Sequence, residues 1–151
     1  TLTDQSKWRF RTHLNFDPDK RVTLKTRLEF SGSDNGSGQE IGTLFYQDVK
    51  ASLFHYKLKL STRVAYFNTL SFNSAIYAYE NDVLYSFSVP SYSGKGMRYY
   101  VLASFKLAKN IQVWLRYART VYTDKESISS GNAEIEGETK SEFKAQMRFL
   151  F

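Results

Sequence analysis

The stretch from residue 141 to residue 151, SEFKAQMRFLF, decides how the whole chain is read. Phe143, Ala145, Met147, Phe149 and Phe151 are apolar, and Glu142, Lys144, Gln146 and Arg148 stand between them, with Leu150 the one exception. A period of two residues puts one set on each face of an extended strand. Soluble domains usually fray into polar residues at their termini. This chain carries a net charge of +6 and a negative mean hydropathy, yet it stops on an aromatic stripe. The stripe belongs either to an edge strand of a soluble sandwich or to a strand whose apolar face meets lipid.

Working outward, nearly every segment repeats the pattern. Trp8, Phe10, Thr12, Leu14 and Phe16 alternate with Lys7, Arg9, Arg11, His13 and Asn15. After the turn DPDK, Val22, Leu24, Thr26, Leu28 and Phe30 alternate with Arg21, Thr23, Lys25, Arg27 and Glu29, which reads as a β-hairpin. A weaker strand over 43–51 follows, then one at 58–66 and two more around the AKN turn at 108–110. No helical periodicity persists for two turns. The stretch SGSDNGSGQEIG at 31–42 reads as a polar loop with no reason to be ordered, as does the long loop at 123–139.

Short turns at 17–20, 52–56 and 108–110 and long loops at 31–42 and 123–139 match a membrane barrel with short periplasmic turns and longer outside loops. Residues 76–89, IYAYENDVLYSFSV, count as one strand if their alternation is followed throughout. They count as two if the chain turns at Glu80-Asn81-Asp82. The expected barrel thus has eight strands or nine, and loop parity favours nine. With nine strands the first would begin outside, which implies upstream strands and, with the Thr1 start, a processed chain or a piece of a longer one.

The length of 151 residues corresponds to one domain, residues 1–151, and aromatics at 17% favour strands. The absence of Cys removes disulfides, thiolate metal sites and cysteine nucleophiles. No apolar run approaches the eighteen residues a membrane helix needs, which leaves β-spans open. Alternation alone does not separate a soluble sandwich from a membrane barrel. Tyr and Trp gathered toward strand ends, strands of ten or more residues and the terminal aromatic tilt the reading to the barrel.

On that reading the lumen receives Arg9, Arg11, Arg21, Lys25, Arg27, Lys59, Arg63, Arg98, Lys106, Arg116, Lys144 and Arg148. Fewer carboxylates accompany them: Glu29, Asp48, Glu80, Asp82 and Glu142. Such an interior would attract anions or receive an acidic plug or ligand, or it would be a salt-bridge ladder lining the wall. The ladder is the blander reading and the favoured one. Phe143, Met147, Phe149 and Phe151 would anchor the last strand in lipid and signal assembly.

Candidate chemistry is sparse. His13 and His55 lack metal-ligand partners at recognisable spacing, and His13 with a serine from another strand has no spacing support as a lipid-hydrolysing site. Glu80 with Asp82 forms a carboxylate pair, for which a salt bridge is the commoner explanation. SYSGKG lacks the spacing of a phosphate-binding loop, and NGS at 35–37 is a weak glycosylation sequon. The basic balance (pI near 9.4) is spread over every strand, so no nucleic-acid partner is expected.

The stretch YAYENDVLYSFSVPSYSGKGMRYY, with WLRYARTVY and the ending IEGETKSEFKAQMRFLF, resembles the C-terminal barrel region of large Bacteroidota outer-membrane proteins that carry helix-hairpin-helix motifs upstream. The likeness covers 76–151 best. It carries no catalytic motif and so implies no site residues, but it does imply the last strands of a longer barrel. The expectation is therefore an all-β, antiparallel up-and-down transmembrane β-barrel, part of a larger one, in a bacterial outer membrane. It would act as pore, translocation or envelope-assembly scaffold, without cofactor. Its partners would be outer-membrane lipid, the barrel-assembly machinery and further strands of the same polypeptide or other envelope proteins. A small barrel enzyme acting on lipid and a soluble ligand-binding β-barrel are the alternatives.

Overall fold

The computed structural model describes residues 6–34, 38–124, 127–128 and 135–151. Among the described residues the chain is all β apart from one 3-10 turn at Phe72–Ser74. Seven long strands carry the fold: β1 (Ser6–Asp19), β2 (Val22–Asp34), β3 (Gln39–Leu53), β4 (Leu58–Thr69), β7 (Lys95–Ala108), β8 (Ile111–Tyr122) and β11 (Thr139–Phe149). Four two-residue strands lie in the connections: β5 (Ile76–Tyr77), β6 (Ser91–Tyr92), β9 (Ser127–Ile128) and β10 (Ile135–Glu136). The long strands form one antiparallel meander in the order β1-β2-β3-β4-β7-β8-β11.

The turns at 20–21, 54–57 and 109–110 share one end of the sheet, and the longer connections lie at the other. Register follows the period-two pattern throughout: Phe10 faces Phe30, Thr12 faces Leu28, Val101 faces Tyr117 and Phe143 faces Tyr117. One face is therefore aromatic and aliphatic, the other polar.

The strand count differs from expectation. There are seven long strands, not eight or nine, and among the described residues β1 and β11 are left as open edges, so the sheet does not close on itself. Residues 76–89 are not a ladder strand. They run across the polar face of the sheet and fold back through the β5–β6 pair, a Glu80–Ser88 bridge, a Ser86 N–H to Val83 carbonyl bond and a Tyr79–Phe87 ring contact. Their alternation is real, but its meaning differs: Ile76, Ala78 and Glu80 point down onto the sheet while Tyr77 and Tyr79 point away.

The loop expected at 31–42 is also shorter. Ser31–Asp34 and Gln39–Gly42 extend the β2–β3 hairpin, paired residue for residue. Glycine and serine inside a strand mark close approach by another backbone, and here that backbone is the 3-10 turn. Ser31 Oγ donates to the Ser74 carbonyl at 2.7 Å, and a Cβ on Gly42 would lie 2.4 Å from that same oxygen. The sequon at 35–37 lies outside the described residues.

Burial is inverted relative to a water-soluble sheet. Phe10, Leu14, Phe16, Val64, Leu115 and Met147 of the apolar face are exposed, while Arg27, Glu29, Asp48, Arg63, Arg98 and Arg116 of the polar face are buried.

Candidate functional site

The inner face is built from alternate residues of each long strand and covered by residues 70–94. Apolar contacts seat this segment first. Ile76, Ala78 and Tyr92 pack on Leu44, Tyr46, Ala65 and Phe67, with the Phe67 and Tyr92 rings edge to face at 5.5 Å. Further along, Val83 packs with Tyr100, Leu102, Trp114 and Ala118. Thr69 and Gly94 exchange hydrogen bonds at the segment's two ends, Thr69 N–H donating to the Gly94 carbonyl and Gly94 N–H to Thr69 Oγ1, each at 2.8 Å.

Three ionic clusters cross this face. Glu29, fully buried, accepts from Arg11 at 2.9 Å and from Arg27, and lies 3.3 Å from Arg9. Asp48 accepts from Arg63 Nε at 2.5 Å and Nη2 at 2.8 Å, and the guanidinium lies 3.6 Å from the centre of the Tyr46 ring. The third cluster is centred on the covering segment. Glu80 accepts from Arg98 Nε at 2.8 Å, Arg98 Nη2 at 3.0 Å, Arg116 Nη2 at 2.5 Å and the Tyr92 hydroxyl at 3.0 Å.

Asp82 lies 3.7 Å from Arg116 and accepts from Lys144 at 2.5 Å. Glu142 adds a contact to Arg98 at 3.4 Å. Asn81, between the two acids, donates through Nδ2 to the Tyr100 hydroxyl at 3.0 Å and accepts from Arg116 Nε at 3.1 Å. Burial, reinforced by the charge of Glu80, pushes the Tyr92 hydroxyl above the usual tyrosine range, so it stays protonated and keeps donating. A buried pair gains little net stability, yet removing one partner leaves an uncompensated charge. These contacts therefore act as a lock on position more than as a source of stability.

The expected basic set lies together on this face. Arg27, Arg63, Arg98 and Arg116 are buried in ion pairs; Arg9, Arg11 and Lys144 pair from more exposed positions. Arg148 donates to Gln112 Oε1 at 3.1 Å and lies over the Trp114 ring, and Lys25 lines a cavity described below. Lys59 and Lys106 share the face at the short-turn end, exposed and outside any ion pair among the described residues. Arg21 departs from the set: it lies in the β1–β2 turn.

Phe143, Met147 and Phe149 stand exposed on the outer face, and Phe151 lies beyond the end of β11. His13 lies on the inner face of β1 opposite Arg27 and makes no hydrogen bond to a serine among the described residues. His55 lies in the β3–β4 turn.

Sequence reasoning missed the covering segment and the apolar patch beneath it. The available signals were the acids Glu80 and Asp82 in a segment facing an arginine excess, and the small residues Ser31, Ser33 and Gly42 beneath it. The class these features define is an antiparallel β-meander with a polar, ion-paired face covered by its own β4–β7 connection. Compared with known proteins, the chain matches no family model, no curated protein and no solved structure.

Proposed function

We propose that these strands form part of the wall of a β-barrel in the outer membrane of a Gram-negative bacterium, acting as pore, translocation or assembly scaffold. Residues 70–94 plug its interior from the long-loop side. The carrying observation is the inverted burial: an apolar face left open across seven strands, and a charged face covered and paired. In water an exposed apolar surface of that extent is an aggregation liability, whereas in lipid it is the required surface. Strands of 11 to 15 residues are long enough to cross a bilayer, which takes ~9–11 residues at a tilt. A soluble ligand-binding barrel would need the opposite face turned inward. The resemblance over residues 76–151 points the same way, to the end of a Bacteroidota barrel.

Six antiparallel pairings separate β1 from β11, so the two open edges run in the same direction. Bacterial barrels pair antiparallel throughout, and closure therefore takes an odd number of further strands. Copies of this sheet related by rotation about the barrel axis would set β1 against β11 in parallel, so the added strands come from a different stretch of chain.

Arginine substitution tests the face assignment. Arg at Leu115, Val101 or Leu28, all exposed on the outer face, should reduce the amount assembled in the outer membrane. The cost is about 2–4 kcal/mol near the bilayer midplane. Arg at Gln112 or Ser104, which hydrogen-bond each other on the inner face, should assemble normally. Equal tolerance of both sets, scored by membrane fractionation and detergent extraction, would sink the reading.

A further inference from the structure

We infer that the inner face holds a binding site for a phosphate-sized oxyanion, in a cavity of about 180 Å³ lined by Lys25, Arg27, Lys50 and Arg63 and closed on one side by Tyr79 and Asn81 of the plug. Four cations meet there with one carboxylate, Asp48, and that carboxylate is already occupied by two nitrogens of Arg63. Arg27 spends its Nη2 on Glu29 and the Tyr77 carbonyl, and Glu29 is shared with Arg9 and Arg11.

Arg27 and Arg63 are 5% and 3% exposed, and Arg27 Nε and Arg63 Nη1, closed off from solvent, have no protein partner among the described residues. Lys25 and Lys50 are in no ion pair among the described residues, Lys25 half-buried and Lys50 exposed. Guanidinium groups beside ammonium point charges match the oxygens of a phosphoryl group. The formal excess of three positive charges favours a dianion over a monoanion. The volume takes one phosphoryl group with little more, and its place on the inner face excludes a lipid headgroup packed on the outer one.

The site stands on the inner-face geometry and does not require that the outer face meet lipid. The test is isothermal titration of the purified full chain with inorganic phosphate, and separately with glycerol 3-phosphate, against sodium chloride at matched ionic strength. Saturable phosphate binding is expected, at least tenfold weaker in the K25Q/K50Q double variant and unchanged in K59Q, whose lysine shares the face outside the cavity. The two lysines carry no buried ion pair, so the double variant keeps the fold, which its thermal unfolding verifies. Binding of the monoester as tightly as the free ion would identify a phosphorylated ligand and weaker binding the free ion, each within the proposal. No saturation with either, or equal displacement by chloride, or equal losses in K25Q/K50Q and K59Q, would overturn it. None of these outcomes bears on the outer-face arginine scan, so the two readings fail separately.

Discussion

Glu80 is one carboxylate holding two guanidiniums and a phenol, with no exposed surface of its own. Glu80→Gln keeps the shape and removes the charge, leaving Arg98 and Arg116 buried with too little compensation. The expected loss is ~3–5 kcal/mol, read as a lower midpoint of urea unfolding in detergent, whereas exposed Asp124→Asn should leave the midpoint in place. A different kind of residue-level tension lies in the β3–β4 turn. Phe54, His55 and Tyr56 all have positive φ, at 49°, 54° and 66°. Each such conformation costs an L-residue about 1–2 kcal/mol relative to glycine, yet two of the three are exposed aromatics. Replacing His55 by Gly should therefore raise stability without loss of assembly. The same change at Phe54 or Tyr56 should trade that gain against a weakened interfacial anchor, which a comparison of unfolding midpoint with membrane yield separates.

At the scale of elements, the β4–β7 connection depends on its bed as much as on its own sequence. Gly42→Ala would drive a methyl into the Ser74 carbonyl, a backbone atom with nowhere to yield. The plug should lift, and chymotrypsin should cut faster after Tyr77 and Tyr79, while Thr43→Ala on the opposite face should leave the digestion rate unchanged. This element also marks where sequence reading stopped. The long strands, the short turns and the faces of the eleven basic residues from Arg9 to Arg148 were legible, because a two-residue period survives wherever a sheet has unlike faces. The same period in Ile76, Ala78 and Glu80 could not say whether a ladder or a second layer received them. Strand pairing and inward packing impose identical alternation. Only the partners tell them apart: small residues below, at Ser31 and Gly42, and arginines waiting for acids.

For the whole molecule, the open edges matter most. β1 is exposed along its full length and β11 along much of its, while the central strands are covered on their inner face. Unpaired edges recruit other strands, and their common direction sets which strands fit. Residues 1–151 refolded alone in detergent should not give a compact species whose gel mobility shifts on boiling. Addition of an odd number of strands that pair with β1 and β11 should. A heat-modifiable monomer from these residues alone would show that β1 and β11 meet in parallel and would refute the closure argument. The count of strands was not readable from the sequence for the reason already given, but the identity of directions at the edges follows from any odd number.

The plug also sets an order of events in time. Its contacts reach β2 through Ser31, β3 through Leu44, β7 through Arg98 and β8 through Arg116, strands separated by up to 85 residues of chain. No part of that receptor exists before the strands have paired, and contacts between such distant residues form late. Refolding should accordingly show two kinetic phases, sheet formation followed by seating of residues 70–94. Glu80→Gln should slow or abolish the second while sparing the first. Until that second phase ends, the arginines of the inner face stay hydrated and the polar face of the sheet stays uncovered.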